Sequence, residues 1–239
     1  MAERQRDGVT NATIKCELAA LSKAFSLAVQ YGKLPHKPYF PKLTLDNARQ
    51  GFFEEKDLRR VVKKLPAYLR GPMVFAYHTG WRIGEILPLT WAQVDLDAGT
   101  VRLEPGTTKN KKGRTFPFAA LPELDALIRR QREATTALER ADRCIIPWVF
   151  HREGRPIKSY RRAWTTACQT AGVAGRLVHD LRRTAVRNLE RAGVPRSVAM
   201  KLTGHLTESV YNRYAIVSES DLRDGVLKLS ELPASLMRG

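Results

Sequence analysis

Three short strand-like segments stand close together near the middle of a chain whose other apolar residues recur at helical spacing. They are Trp91–Asp95, Thr100–Glu104 and Arg114–Phe118, and a turn at 97–99 joins the first two. Strands this short and this close in sequence pair as antiparallel neighbours. The pattern therefore predicts a mainly α fold with one small antiparallel β-sheet, an α+β chain.

Amphipathic helices are expected on both sides of this sheet. Apolar residues spaced by three and four predict a first helix over 11–32, which Gly32 and Pro35 end. The acidic pair Glu54 and Glu55 suits the start of the next helix. The other predicted helices are one that ends near 79 and those at 82–88, 121–140, 158–171, 179–192, 195–202, 207–216 and 218–229.

The chain is predicted to fall into three parts. Residues 1–51 hold one helix and a proline-containing linker, and one helix with its flanks cannot bury a core alone. Residues 52–217 carry the denser pattern of helices and strands and form the main domain. Residues 218–239 form a C-terminal helical tail.

A large positive charge limits the function classes. The 239 residues include 41 Lys and Arg against 24 Asp and Glu, which gives a net charge of +17, and 43% of them are hydrophobic. The apolar content excludes a disordered basic tail. Such a charge on a folded chain favours a polyanionic partner, with nucleic acid ahead of an anionic membrane.

The sequence carries no signal for a membrane, a disulfide framework or a metal site. Its N-terminus is polar, and its apolar runs are too short to cross a bilayer. Cys16, Cys144 and Cys168 are scattered and odd in number, which predicts reduced thiols and no zinc site. We expect a cytoplasmic, nucleoid-associated protein that binds no metal.

The first cluster of chemically useful residues is HTGWRIGEILPLTW at 78–91. Arg82 follows a glycine turn, and Glu85 lies three residues further on the same helical face. Taken alone, the two residues are best read as a surface ion pair worth about 0.2–0.5 kcal/mol. The apolar residues on either side argue for a half-buried Arg82, which Glu85 would hold as a phosphate-binding fork.

The second cluster is TTKNKKGRTFPF at 107–118, a turn between two predicted strands. Lys109, Lys111, Lys112 and Arg114 are either a solvated hairpin tip or contacts to a DNA backbone. One of these lysines could also donate a proton to a leaving oxygen.

The third cluster is VHDLRRTAVRNLERAG at 178–193, a predicted helix. His179 and Arg182 lie about 60° apart around the helix axis, so both can point at one target. Arg183, Arg187 and Arg191 are interpreted as a solvated basic face or as DNA-backbone contacts. For His179 and Arg182, a solvated face and a functional role are equally supported by the residues alone.

The fourth cluster is KLTGHLTESVYNRYAIV at 201–217. Gly204 breaks the chain before His205, and a short helix then carries Tyr211 and Tyr214. Tyrosines on a short amphipathic helix are most often core residues, so neither is functional on this evidence alone.

Taken together, the four clusters resemble the tyrosine recombinase, or phage integrase, family. The resemblance covers about 52–217, and 11–50 resembles the last part of the family's helical core-binding domain. Two spacings are specific: nine residues separate His205 from Tyr214, and eight separate Lys109 from Pro117. The match runs in order through Arg82, Lys109, His179, Arg182, His205 and Tyr214.

This chain departs from the family pattern at three places. Thr203 stands where members often have Leu, and Arg183 stands where a second His is usual. Neither change removes a catalytic group. Most of the core-binding domain would also be missing, through a short gene or a truncation.

The resemblance implies the fold of the DNA breaking-rejoining enzymes and a role for each matched residue at a scissile phosphate. Arg82 and Arg182 would clamp the non-bridging oxygens, and His205 would donate a further hydrogen bond to them. Glu85 would hold the Arg82 region, without touching the phosphate itself.

The resemblance also implies which groups move protons. A tyrosine phenol is almost wholly protonated near neutral pH, so Tyr214, as nucleophile, needs His179 as its base or proton relay. Lys109 would protonate the leaving 5′-oxygen. The product would be a 3′-phosphotyrosyl bond, which keeps the phosphodiester energy, so neither ATP nor a metal cofactor is expected.

The expected partners are double-stranded DNA attachment sites, further copies of this chain in a homotetramer on DNA, and accessory DNA-bending proteins. The tail at 218–239 would pack on its own domain or, by analogy with the family, on a neighbouring copy. Two other functions stay open: a DNA-binding protein of the same fold that no longer cuts because of truncation, and a type IB topoisomerase-like enzyme that relaxes DNA. A metal-dependent transposase is a weaker third possibility.

Overall fold

A computed structural model of the chain describes residues 2–44, 51–106, 113–214, 222–223 and 225–227. The predicted hairpin lysines Lys109, Lys111 and Lys112, and most of the predicted tail, lie outside these residues. The chain divides into two compact units, Met1–Arg49 and Gln50–Gly239.

The first unit is built on one long helix. The predicted helix at 11–32 is observed as α2 (Asn11–Gln30), and the Thr10 side chain caps its start by accepting a hydrogen bond from the Thr13 backbone N–H. A short helix not predicted from the sequence, α1 (Ala2–Arg6), precedes it. An ion pair between Arg4 and Glu17 joins the two helices.

At the centre of the second unit, α4 (Ala67–Thr79) packs against α8 (His179–Arg191), which lies far from it in sequence. Leu69, Met73 and Phe75 on α4 are fully buried, and burying a side chain of this size contributes about 1.5–3 kcal/mol. The other helices of this unit are α3 (Glu55–Lys64), α5 (Ile83–Ile86), α6 (Pro122–Asp142), α7 (Arg161–Thr170), α9 (Arg196–Thr203) and α10 (Glu208–Tyr211).

A three-stranded antiparallel sheet lies against this helical core. Its strands are β1 (Val94–Asp95), β2 (Thr100–Leu103) and β3 (Arg114–Phe116), in the order β1-β2-β3. Val101 and Phe116 are register partners and both are buried, which fixes one face of the sheet on the core.

Two features of the strands differ from the sequence prediction. The first predicted strand is mostly a 3₁₀ turn over Trp91–Gln93, because the Gln93 side chain accepts a hydrogen bond from the Thr90 backbone N–H and closes a capping box. A second antiparallel pair, β4 (His151–Arg152) and β5 (Arg155–Pro156), is too short and polar to give a strand pattern.

The predicted fold class is confirmed: the chain is mainly α with small antiparallel sheets. In the part of the chain that the structure describes, no helix is long and apolar enough to cross a membrane.

Candidate active site

The site begins where α4 ends and α5 starts. Gly80 adopts a left-handed conformation (φ +65°), which ends α4 and turns the chain towards α5. A Cβ at this position would lie 3.0 Å from the Ala185 Cβ and 3.1 Å from the Thr203 Cγ2. Glycine therefore allows this turn to approach both α8 and the end of α9, and it brings three segments of the site together.

Arg82 and Glu85 form the ion pair that their spacing predicts, and it is half-buried. Arg82 Nη1 lies 3.0 Å from Glu85 Oε1, and the Arg82 backbone N–H donates to Glu85 Oε2 at 2.9 Å. Burial alone would raise the pKa of Glu85, but the charges and hydrogen bonds of Arg114 and Arg82 hold it below its ordinary value. Glu85 is thus a fixed anion that orients Arg82.

Arg182 is buried at the centre of the site, with 2% of its surface exposed. Its Nη1 donates to the carbonyl oxygens of Gly80 and Thr203, both at 2.6 Å. Burial, and then the charge of Arg82, lowers its pKa to about 9, so the group keeps its charge at neutral pH. These hydrogen bonds fix the direction in which the guanidinium points.

His205 lies directly against this guanidinium. Its Nε2 is 2.8 Å from Arg182 Nη2, and its Nδ1 is 2.7 Å from the Thr203 hydroxyl. Burial, followed by the positive charge of Arg182, lowers the pKa of His205 to about 3. The ring is therefore neutral near pH 7 when no anion occupies the site.

Tyr214 closes the site on the side of α8. Its hydroxyl lies 2.9 Å from His179 Nε2, and its ring is 5.0 Å from the His205 ring. Loss of hydration on the covered side of the His179 ring, and then the charge of Arg182, lowers the pKa of His179. A neutral imidazole in contact with a phenol hydroxyl can accept its proton.

A cavity of about 520 Å³ opens beside these groups. It is lined by His205, Gly204 and Lys201 on one side and by Arg114 and Thr115 on β3 on the other. Of the groups described above, His205 and Arg114 line this cavity, and Lys201 adds a further cation to its wall.

Comparison with known proteins decides the family. A family model described as "Phage integrase family" matches residues 52–220, which is well over half of the chain. The chain belongs to the phage integrase family. This confirms the resemblance that the four sequence clusters carry.

Curated relatives of this phage integrase family chain include named recombinases. A shufflon-specific DNA recombinase of Escherichia coli is 27% identical over 230 residues, which cover 90% of this chain and 55% of that protein. The integrase of Salmonella phage P22 is 22% identical over 197 residues, which cover 78% of this chain and 49% of that protein. The chain thus spans about half the length of these two relatives.

Solved structures show the same fold at low sequence identity. A lambda integrase dimer bound to a COC′ core site matches with a TM-score of 0.71 and 19% identity, over 90% of this chain and 62% of that one. The Tn1549 transposon integrase in complex with transposon right end DNA matches with a TM-score of 0.72 and 16% identity, over 96% and 83%. These matches confirm the predicted integrase catalytic-domain fold.

Three arginines predicted to contact DNA are buried against protein groups in this phage integrase family chain. Arg114 pairs with Glu85 and lies 4.5 Å from the Trp81 ring. Arg187 donates to Glu54 at 2.8 Å. Arg183 donates to the Arg213 carbonyl oxygen at 3.2 Å. Helical periodicity identified the apolar stripe of α8, but it did not show that neighbouring segments also cover the opposite face.

Two residues that contact the site were not predicted from the sequence as site residues. Thr203 was noted as a departure from the family, but its hydroxyl contacts His205 and its carbonyl contacts Arg182. Trp81 holds Arg114 by its ring, and its Nε1 donates to the Leu202 carbonyl oxygen at 2.9 Å. An aromatic residue directly before Arg82 is the only local signal for this packing.

Metal ligands and thiols take no part in this geometry. Over the residues that the structure describes, no group of three or more His, Cys, Asp and Glu side chains could hold a metal ion. Cys16 and Cys144 are exposed and Cys168 is buried, all as free thiols.

Proposed function

We propose that this chain is a site-specific DNA recombinase that cuts and rejoins DNA through a covalent 3′-phosphotyrosine intermediate. The observation that carries the proposal is the Tyr214 hydroxyl, 2.9 Å from His179 Nε2, on a ring that lies 5.9 Å from the Arg182 guanidinium. A phenol needs both a base and nearby positive charge to attack a phosphodiester at neutral pH. Its family membership supports the same activity.

The proposed chemistry starts with the clamping of the scissile phosphate. Arg82 and Arg182 bind the two non-bridging oxygens, on which charge builds in the transition state, and His205 adds a further hydrogen bond. Removing one donor of this kind costs about 3–4 kcal/mol of transition-state stabilisation. The buried Arg182 is oriented by Gly80 and Thr203, and Arg82 by Glu85, so little reorganisation is needed.

The proposed bond changes balance within the site. The Tyr214 oxygen forms a bond to phosphorus as its proton passes to His179, and the bond from phosphorus to the 5′-oxygen breaks. Lys109, assigned from the resemblance to the family, gives that oxygen a proton. Rejoining is the reverse reaction, so the proposal requires neither ATP nor a metal ion: the two arginines and the lysine supply the charge that two metal ions supply in other nucleases.

The proposed partners follow from related complexes. Structures of lambda integrase include a dimer on a core site and a tetramer bound to a Holliday junction. We propose double-stranded attachment sites as the substrate of this chain and a homotetramer as its working assembly, with accessory DNA-bending proteins as further partners. In this proposal 52–217 is the catalytic domain, 1–51 the remaining part of a core-binding domain, and 218–239 a tail that contacts a neighbouring copy.

The proposal is tested by trapping the covalent intermediate. The chain is incubated in EDTA with a nicked suicide substrate carrying the attachment site of its own element, and the products are separated on a denaturing gel. We expect a covalent protein–DNA band that Tyr214→Phe abolishes. Tyr211→Phe is the matched control. Tyr211 is fully buried beside His205, so its hydroxyl is not accessible to DNA, and this variant should still form the band.

The outcomes distinguish the main alternatives. A clear gel shift without a covalent band would overturn the proposal in favour of a DNA-binding protein that does not cut. Relaxation of supercoiled DNA that carries no attachment site would favour the topoisomerase-like alternative. A band that appears only when Mg²⁺ is added would contradict metal-independent cutting.

A further inference from the structure

The hydrogen bonds around His205 run in one direction. Arg182 Nη2 lies 2.8 Å from His205 Nε2. A guanidinium group donates hydrogen bonds and cannot accept them. His205 Nε2 must therefore be the acceptor and carry no hydrogen in this arrangement.

A neutral imidazole without a hydrogen on Nε2 carries it on Nδ1. His205 is neutral here, because burial and the charge of Arg182 lower its pKa to about 3. Its Nδ1 lies 2.7 Å from the Thr203 hydroxyl oxygen, which can accept this hydrogen. The hydroxyl then has its own hydrogen free, and the Ala199 carbonyl oxygen lies 2.7 Å away to accept it.

Thr203 is well placed to hold this chain of hydrogen bonds. The residue is fully buried at the last turn of α9, and the turn around Gly80 lies against its methyl group. A leucine at this position could accept no hydrogen from Nδ1. The hydroxyl at this position therefore adds a function that the apolar residue does not have.

We propose that Thr203 is a positioning residue of the site: its hydroxyl accepts from Nδ1 and, together with Arg182 donating to Nε2, holds His205 as the Nδ1–H tautomer, so that His205 gains a proton at Nε2 before it can donate to a phosphate oxygen. The second half of this statement depends on the proposed function. When a phosphate oxygen replaces His205 as the acceptor for Arg182, Nε2 faces that oxygen without a hydrogen. Uptake of one proton from solvent gives an imidazolium that donates to Thr203 from Nδ1 and to the phosphate from Nε2.

Charged groups from several elements face His205. Arg182 and His179 lie on α8, Arg82 precedes α5 and Arg114 lies on β3, and each lowers the pKa of His205. Tyr211 and Tyr214 add aromatic faces at 5.2 and 5.0 Å. An entering phosphate anion opposes the arginine charges, so DNA binding raises the pKa of His205 and makes the proton uptake possible.

The tautomer is measured directly on the DNA-free full chain. Nitrogen-15 NMR of histidine-labelled protein distinguishes protonated from unprotonated ring nitrogens, and His205→Gln assigns the His205 signals among the five histidines. We expect a protonated Nδ1 and an unprotonated Nε2 in the wild type and in Thr203→Ser. In Thr203→Val, which has the same shape without the hydroxyl, Nδ1–H has no acceptor, so part of the ring population should shift to the Nε2–H form and give up the hydrogen bond from Arg182.

An Nε2–H signal in the wild-type protein would overturn the proposal, whether or not any variant folds. An unchanged Nδ1–H signal in folded Thr203→Val would also overturn it. This measurement uses no DNA, so a failure of the proposed function, seen as no covalent band, is distinguishable from a failure of the tautomer assignment.

The consequence for the phosphate is measured as the pH dependence of covalent-band formation. Wild type and Thr203→Ser should lose cleavage about tenfold per pH unit above the pKa of DNA-bound His205, because one proton is lost. In Thr203→Val this loss should be weaker or absent, since the fraction of His205 in the Nε2–H tautomer donates without proton uptake. A wild-type profile that coincides with that of Thr203→Val would overturn the requirement for proton uptake.

Discussion

Arg182 is a buried cation whose hydrogen bonds go to neutral groups. Two carbonyl oxygens and the His205 ring accept from it, and the carboxylate of Glu85 belongs to Arg82 and Arg114. Taking a charge out of water is costly, and neutral acceptors offset that cost only in part. The positive charge is therefore not neutralised by a carboxylate hydrogen-bonded to Arg182, which is what the proposed phosphate clamp requires.

Replacement of Arg182 by lysine tests the geometry rather than the charge. A lysine keeps one positive charge but cannot hold the two carbonyl oxygens and present a flat fork at the same time. We expect Arg182→Lys to lower single-turnover cleavage by about 10²–10³-fold, as for the loss of one oriented transition-state donor. Arg130→Lys on the exposed face of α6 is the control. Cleavage within threefold of the wild type would contradict the assigned role.

In the proposed mechanism, the pH dependence of cleavage at the acidic end reports the protonation of His179. Its pKa lies below the ordinary value of about 6.5, because its ring is desolvated and Arg182 is near. The neutral form is the base, so activity should persist below pH 6.5 and disappear as pH falls through the lowered pKa. The acid limb of kcat/KM for covalent-band formation reports this group in the free enzyme.

Two histidine variants check the assignment of that limb. His179→Gln should lose it and lower the rate by about 10²–10⁴-fold. His78→Gln, which alters a histidine outside the site, should keep it. An acid limb that survives in His179→Gln would assign the base to another group.

Single-residue chemistry was predictable where a local motif carries it. The pairing of Arg82 with Glu85 follows from their spacing, and the common direction of His179 and Arg182 follows from the helix. The role of Thr203 was not predictable, because it arises from a neighbour in space that sequence spacing does not reveal.

At the scale of elements, Arg114 is one of the contacts that hold β3 to the site. Arg114 pairs with Glu85 from α5 and lies over the Trp81 ring. A Cβ on Gly204 would come within 2.1 Å of Arg114 Nη1, so the turn before His205 lies directly on this guanidinium. The same strand directly follows the predicted hairpin that carries Lys109. We therefore expect the loss of Arg114 to weaken the positioning of that lysine.

Replacement of Arg114 by alanine should act through proton delivery to the leaving oxygen. We expect Arg114→Ala to lower the rate of cleavage of ordinary DNA by at least about tenfold, which corresponds to about 1.4 kcal/mol of activation free energy. In a substrate with a 5′-bridging sulfur, the leaving group departs as a thiolate and needs no proton. Arg114→Ala should therefore cleave this substrate at close to the wild-type rate. Arg102→Ala on the exposed face of β2 is the control. Equal losses on both substrates would contradict action through Lys109.

The covered face of α8 gives a second prediction at this scale. Arg187 donates to Glu54 and to the Phe53 carbonyl oxygen and lies 4.8 Å from the Phe52 ring, so it ties α8 to the segment before α3. We expect Arg187→Ala to lower the free energy of unfolding by about 1–3 kcal/mol, because it leaves the buried Phe53 carbonyl oxygen without this donor. Chemical denaturation measures this change.

The salt dependence of DNA binding separates this structural role from a phosphate contact. Arg187→Ala should leave the slope of log K against log salt unchanged. Lys112→Ala, at a position predicted to contact the DNA backbone, should reduce that slope by about one. A reduced slope in Arg187→Ala would restore the interpretation that the sequence favoured.

At the scale of the whole molecule, nearly all the described core belongs to the second unit. Ile14 is the one buried apolar side chain before Phe53 among the residues that the structure describes. Most helices of the second unit and the order of its three-stranded sheet were predictable from periodicity, but α1 and the β4–β5 pair were not. The covering of polar faces by distant segments was not predictable, because burial depends on packing between elements.

This distribution predicts that the second unit folds without the first. Its continuous apolar core supplies the stabilisation that a domain of this size needs. We expect a fragment of residues 50–239 to unfold cooperatively within about 3 °C of the corresponding transition of the full chain. Scanning calorimetry of both proteins measures this difference.

The same fragment separates binding from chemistry. Residues 1–51 carry 8 basic and 4 acidic side chains, so most of the +17 charge lies in the rest of the chain. The fragment should therefore still bind DNA with a strong salt dependence. It should also form the covalent band at saturating DNA, because the described catalytic groups all lie beyond residue 50. A folded fragment that binds DNA but never forms the band, beside a full chain that does, would show that the first unit completes the site.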